Sequence, residues 1–146
     1  MNGPHSSADG KSLEFFVPGR PLPKQSARFG KGRAWQPKAK VEYKRTVEIV
    51  CRNAWLRAGK PAIKAPFIVQ MSFVFGWPKS TPKSKRDSVA WRTSKPDLDN
   101  LCKMVLDAMT TVIPEDADVA TLILMKTNGP RSEEGVTVMI GTCCEK

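Results

Sequence analysis

Residues 95–118 read KPDLDNLCKMVLDAMTTVIPEDAD, and the rest of the chain is best read outward from them. Apolar residues recur at Leu98, Leu101, Cys102, Val105, Met109 and Val112, the spacing of a single helical stripe. Pro96 suits the start of a helix, and Asp97 can cap it or sit in its first turn. The helix is expected to stop before Pro114, because a residue preceding proline is steered away from helical geometry. At roughly 100° per residue, Asp99, Lys103 and Asp107 share one flank of the stripe. A second acidic cluster, Glu115, Asp116 and Asp118, follows the helix end.

The flanking segments alternate between regular and breaker-rich. Residues 13–17 form a short apolar and aromatic run closed by Pro18-Gly19, which predicts an opening strand. The segment onward to Pro37 carries Pro21, Pro23, Gly30, Gly32 and scattered cations and is expected to be a loop. Residues 40–58 predict a helix with Val41, Val47, Val50, Cys51, Ala54 and Trp55 on one face and Gly59 at its end. In residues 67–77, Phe67, Val69, Met71, Phe73 and Phe75 alternate with Ile68, Gln70, Ser72 and Val74, a strand with one strongly buried face. Residues 78–94 read as a second basic loop. Residues 119–126 and 135–141 read as two strands around Asn128-Gly129-Pro130, expected to pair antiparallel. The order is strand, helix, strand, helix, strand, strand. It predicts an α+β fold, a mixed β-sheet with two main helices packed on it.

The chain has 146 residues and a formal net charge of +10, enough for one domain of ordinary core size. Residues 1–12 are expected to be a disordered tail and 13–146 a single domain. No apolar run is long enough to span a membrane, and the N-terminus lacks the basic and apolar regions of a signal peptide. Cys51, Cys102, Cys143 and Cys144 show no paired C-x-x-C spacing, and the one histidine is His5. No zinc site is expected, and free thiols in a reducing cytoplasm are. The positive charge is clustered. Arg20, Lys24, Arg28, Lys31, Arg33, Lys38, Lys40, Lys44 and Arg45 meet one counter-charge, Glu42, in their interval. Lys79, Lys83, Lys85, Arg86, Arg92 and Lys95 meet only Asp87. Such clustering favours a polyanion, nucleic acid, as partner over a merely soluble surface.

Against that background the carboxylates admit several readings. Asp97 and Asp99 begin a D-x-D pattern, but Leu101 and Cys102 stand where a calcium loop needs an oxygen donor and a glycine. A restriction-type nuclease core needs an acid two residues before its lysine; Leu124 stands there before Lys126. A magnesium-dependent phosphodiesterase site needs only two or three aspartates converging with a phosphate. Lys103 would then stabilise charge developing in the reaction. A solvated acidic helix face with Asp97 as a cap explains the spacing equally well.

KPDLDNLCKMVLDAM followed by PEDADV resembles the signature of the RusA family of Holliday-junction resolvases, a D-x-D-N-x-x-K helix followed by an acidic pair. FFVPGRPLPKQSARF resembles that family's opening strand and basic loop, WQPKAKVEYKRTV its first helix, and FVFGWPKSTPKSKR its strand into the second basic loop. The resemblance implies a homodimeric, bacterial or phage-encoded endonuclease that uses Mg²⁺ to make paired nicks in four-way DNA junctions. It implies Asp97, Asp99 and Asp116 as metal-binding catalytic acids and Lys103 as the catalytic lysine. Lys24, Arg28, Lys31, Arg33, Lys79, Lys83, Lys85, Arg86 and Lys95 are the expected DNA-binding cations. This chain departs from the family pattern in having Glu115-Asp116 rather than the commoner Asp-Asp, and an acid at Asp118. The alternative is a non-catalytic DNA-binding accessory protein of the same fold. Carboxylates beside phosphates argue against it, since each unneutralised acid repels the backbone.

Overall fold

The computed structural model describes residues 11–24, 28–30, 33–35 and 37–143, with only the backbone of 28–30 and 33–35 described. Strand β1 (Ser12–Pro18) buries alternate residues, Leu13, Phe15 and Val17. Strands β2 (Arg28–Gly30) and β3 (Arg33–Trp35) pair antiparallel into a small separate ribbon. Helix α1 (Lys38–Arg57) follows, then strand β4 (Phe67–Gly76). A one-turn helix α2 (Lys83–Arg86) and a two-residue strand β5 (Ala90–Trp91) precede helix α3 (Leu98–Ala108). Strands β6 (Val119–Gly129) and β7 (Gly135–Thr142) are the last strands among the described residues.

The main sheet has the order β1-β7-β4-β6-β5. Only β4 and β6 run parallel; the other neighbours are antiparallel. The sheet is thus mixed and the fold α+β, as the element order predicts. Parallel neighbours require a crossover, and α3 lies within the connection that makes it. The candidate acids are therefore carried by the segment that links the two parallel strands.

The expected antiparallel pairing of residues 119–126 with 135–141 is not what forms. β4 lies between them, pairing with β7 on one edge and β6 on the other. The reason is burial. Phe67, Ile68 and Val69 are buried in succession, and Met71, Phe73 and Phe75 are fully enclosed, so β4 takes a central position with neighbours on both sides. Pro130 also cannot follow Gly129 into a tight hairpin. The chain instead makes a 3₁₀ turn at Arg131–Glu133 before β7. Gly135 opens β7 at φ 153°, where an added Cβ would stand 2.4 Å from the Val17 carbonyl oxygen.

Other expectations shift in detail. The segment read as a loop up to Pro37 contains the β2–β3 ribbon, and residues 78–94 contain α2 and β5. Ser12, assigned to the tail, already pairs with Gly141. Residues 1–10 of that tail, and Cys144, lie outside the described residues. Helix α3 ends at Ala108, earlier than its apolar stripe suggests; Met109, Val112 and Ile113 stay buried in a turn where the Val112 and Ile113 amides donate to the Met109 carbonyl.

The core joins β1, β4 and β7 to α1, through Val47, Cys51 and Ala54, and to α3, through Leu101, Cys102, Val105 and Leu106. The other face of the sheet is only half covered. The strand registers set Ile123, Gln70, Met139 and the exposed Glu14 in one row and Met125, Ser72, Thr137 and Phe16 in the next. Of the apolar residues among these, Phe16, Ile123 and Met139 are exposed.

Candidate metal and nucleic-acid site

The site begins where β5 hands the chain to α3. Asp97 holds the N-cap position, with φ −73° and ψ 143°, and its carbonyl accepts the Leu101 amide at 3.1 Å. Its carboxylate makes no capping hydrogen bond. An aspartate at this position commonly spends its oxygens on the first-turn amides; here Oδ1 instead faces the Lys95 ammonium at 3.6 Å. Neither oxygen is committed to a first-turn amide. Asp99 is exposed in the first turn, and Lys103 is exposed one turn further on.

Asp116 is exposed in the 3₁₀ turn Asp116–Asp118 that leads into β6. Its relation to α3 shows in the buried Cys102. Burial pushes that thiol up to about 11, and the negative charges of Asp116 and then Asp99 add to the effect. The two carboxylates thus act on one thiol from opposite ends of a 17-residue separation in sequence. Asp118, whose amide donates to the Glu115 carbonyl, is exposed in the same turn.

Among the described residues, no group of three or more His, Cys, Asp and Glu side chains is gathered closely enough to hold a metal. Asp97, Asp99 and Asp116 therefore do not form a closed cage. Mg²⁺ does not require one: it is commonly held by one or two carboxylates, with waters and substrate phosphate completing six oxygens. Two exposed aspartates at a helix start, one of them an unused cap, fit that chemistry.

Around Asp97 the expected cations converge in part. A cleft of about 400 Å³ is lined by Arg20, Pro23, Lys24, Lys95, Pro96, Asp97 and Asn100. The basic loop after β1 is laid across α3 here, its Lys24 amide donating to the Asn100 carbonyl at 2.9 Å. The Lys24 ammonium pairs with Asp107, so this cation is partly committed to holding loop and helix together. Arg20, one of the clustered cations of the first basic run, lines the same cleft. It packs over the Phe75 ring at 5.0 Å and approaches Glu134 at 3.8 Å.

The second basic loop builds a separate patch. Lys79, Lys83 and Lys85 are exposed, and Lys85 stands 5.0 Å above the Trp77 ring centroid. Arg86 turns back into its own loop, donating to the carbonyls of Thr81 at 2.8 Å and Lys79 at 3.0 Å. It shapes the patch and still contributes charge. Arg131, absent from the candidates, joins Trp77, Lys79 and Arg86 around a cleft of about 500 Å³. Lys31 lies outside the described residues, and the side chains of Arg28 and Arg33 are likewise outside them.

Two further cations, Arg92 of the second basic run and Lys126 of β6, take up the backbone just before Asp97. Arg92 donates through Nε and Nη2 to the Lys95 carbonyl, at 3.2 and 2.5 Å. Lys126, on β6, donates to the carbonyls of Ser94 at 2.8 Å and Pro96 at 2.6 Å. Burial lowers the Lys126 ammonium below its ordinary range, as do Arg92 and Lys95, and Asp97 opposes them. No spacing rule connects residue 126 to residue 97; the parallel crossover does.

No curated protein matches the chain. The family model described as Endodeoxyribonuclease RusA matches residues 18–141, a span that holds β1's last residue, both long helices, both basic loops and every candidate acid. The chain belongs to the RusA family of endodeoxyribonucleases.

Proposed function

We propose that this protein is a Mg²⁺-dependent, structure-selective endonuclease that resolves four-way DNA junctions by paired, symmetrical nicks, serving recombination and repair in a bacterial or phage-infected cytoplasm. The observation that carries this reading is Asp97. It sits at a helix start with its carboxylate making no capping bond and facing Lys95, at the wall of a cleft that also offers Arg20 and Lys24. A protein that only bound DNA would gain nothing from an acid in that position.

In this reading Asp97, Asp99 and Asp116 hold the cation. Bound there, Mg²⁺ would supply Lewis-acid stabilisation of charge on the scissile phosphate and make water a stronger nucleophile. The chain's own residues do the rest. Lys95 and Arg20 draw a phosphodiester into the cleft beside Asp97. Lys103 offsets negative charge as it develops on the phosphate or the leaving oxygen, a role in which one well-placed donor is worth roughly 10²–10³ in rate. Lys79, Lys83 and Lys85 hold a neighbouring stretch of backbone by charge, fixing register without reading sequence.

One constellation of acids serves one scissile phosphate, so two cuts require two chains, most simply related by a two-fold axis. The sheet face on which Phe16, Ile123 and Met139 are exposed, interleaved with Glu14, Gln70, Ser72 and Thr137, offers a mixed apolar and polar surface for such a partner. The experiment is strand-by-strand mapping on a junction labelled in each arm, alongside sedimentation of the free protein. The expected outcome is two nicks at symmetry-related positions, from a species of twice the chain mass. Single nicks from a monomer would overturn the paired mechanism.

A further inference from the structure

We infer that Lys126, assisted by Arg92, is a positioning residue for Asp97: the two cations seize three successive carbonyls immediately before it and so fix where its carboxylate stands. The inference rests on the nuclease reading above for its purpose, but its geometry is independent of that reading. The carbonyls of Ser94 and Pro96 both accept from the single Lys126 ammonium, at 2.8 and 2.6 Å. Between them, the Lys95 carbonyl accepts twice from the Arg92 guanidinium, at 3.2 and 2.5 Å. Three consecutive acceptors in an irregular segment are thus all satisfied by cations, and the next residue is Asp97.

Each cation is itself anchored to the sheet. Lys126 lies in β6 opposite Phe73 of β4, a fully buried residue. The Arg92 amide donates to the Lys126 carbonyl at 3.0 Å, its Nη1 donates to the Asn128 Oδ1 at 2.9 Å, and its guanidinium lies 4.3 Å from the Phe75 ring centroid. The segment 94–96 is therefore tied at two points to the two parallel strands. Charge-assisted bonds of this kind are roughly twice as strong as neutral ones.

Neutral donors could fasten a loop equally well. Cations add two effects that matter beside a metal-binding carboxylate. They occupy acceptors that would otherwise repel an incoming phosphate. They also place positive charge beside the segment that carries Asp97, where the Arg92 guanidinium and the Lys126 ammonium meet the carbonyls of residues 94–96. Outer-shell groups that orient a metal-binding side chain are typically worth about 10–100-fold in affinity or activity.

The test is Lys126→Met, which keeps the stem and removes the ammonium, beside Lys126→Arg, which keeps the charge. Mg²⁺ binding is measured by calorimetry on the protein without DNA, and single-turnover cleavage is measured on saturating four-way junction. For Lys126→Met we expect both to fall by about 10–100-fold, with junction affinity in EDTA unchanged and the fold intact by circular dichroism. Lys126→Arg should recover to within a few-fold of wild type. If Lys126→Met fails to fold, Lys126→Gln carries the same comparison. A Lys126→Met protein that binds Mg²⁺ as wild type does overturns the inference, whatever its cleavage rate. A wild-type protein that binds Mg²⁺ about tenfold tighter than the variant, yet cuts no junction, would support the clamp and refute the nuclease reading.

Discussion

Asp97→Asn is expected to lower the rate of junction cleavage by at least about 100-fold while leaving junction binding intact or tighter. The carboxylate sits at the N-cap position without capping anything, so its replacement by an amide removes no helix-stabilising hydrogen bond. The variant should fold as wild type does, and any loss belongs to the chemistry. An amide oxygen is a poor Mg²⁺ ligand, and losing the negative charge removes repulsion towards phosphate. Asp99→Asn and Asp116→Asn should behave alike. Asp118→Asn is the control: its carboxylate shares the turn with Asp116 but is not needed by the proposed site. Single-turnover cleavage and gel-shift titration in EDTA separate the two effects. Cleavage within a few-fold of wild type would remove a residue from the acid set. An inactive Asp118→Asn beside an active Asp116→Asn would move the third acid two residues along the turn.

The second large effect is on stability. Phe73→Ala should cost about 3–5 kcal/mol, the usual penalty for deleting a fully enclosed aromatic ring and leaving a cavity. Phe73 is 0% exposed at the middle of the central strand, flanked by Val136 of β7 and Lys126 of β6. In a chain of this size the loss should lower the thermal midpoint by on the order of 10 °C, read by scanning calorimetry. Because Lys126 stands beside it, cleavage should weaken at temperatures where the variant is still folded. A midpoint within about 2 °C of wild type would show that the core around β4 can collapse into the space.

Much of this architecture is legible in the residues themselves, for identifiable reasons. The alternation of Phe67, Val69, Met71, Phe73 and Phe75 survives intact as the buried side of β4, because every second position faces the helices. Helix α3 is legible because its apolar stripe is sharp; its end is not, because Met109, Val112 and Ile113 remain buried after the helical ladder stops. Periodicity reports which side is buried, not which hydrogen bonds persist. The β6–β7 pairing misleads because Asn128-Gly129-Pro130 looks like a hairpin turn, and local turn chemistry cannot reveal that a more hydrophobic strand claims the place between. The β2–β3 ribbon is hidden for the opposite reason: three-residue strands are too short to show alternation.

The site divides in the same way. The candidates Asp97, Asp99 and Lys103 stand out in the sequence because they fall at the cap and in the first two turns of one helix. Asp116 is legible only by resemblance, and its shared action with Asp99 on Cys102 appears once the crossover is folded. Arg92 shows in sequence only as one cation of a basic run and Lys126 only as a lysine without the acid of a restriction-type core; their partnership with residues 94–96 is set by strand register. Arg86 and Lys24 show the converse. Both read as free cations in a basic run, and each spends part of its bonding on the protein itself.

Acids on and beside α3 are proposed to work with Mg²⁺ to cut DNA at a junction. The most direct measurement is cleavage of an end-labelled four-way junction by the wild-type protein, beside a linear duplex of the same sequence, with Mg²⁺ and with EDTA. The expected result is cleavage of the junction in Mg²⁺, little or none of the duplex, and undiminished junction binding without cleavage in EDTA. Binding of the junction with no cleavage in Mg²⁺, or cleavage that persists in EDTA, would contradict it.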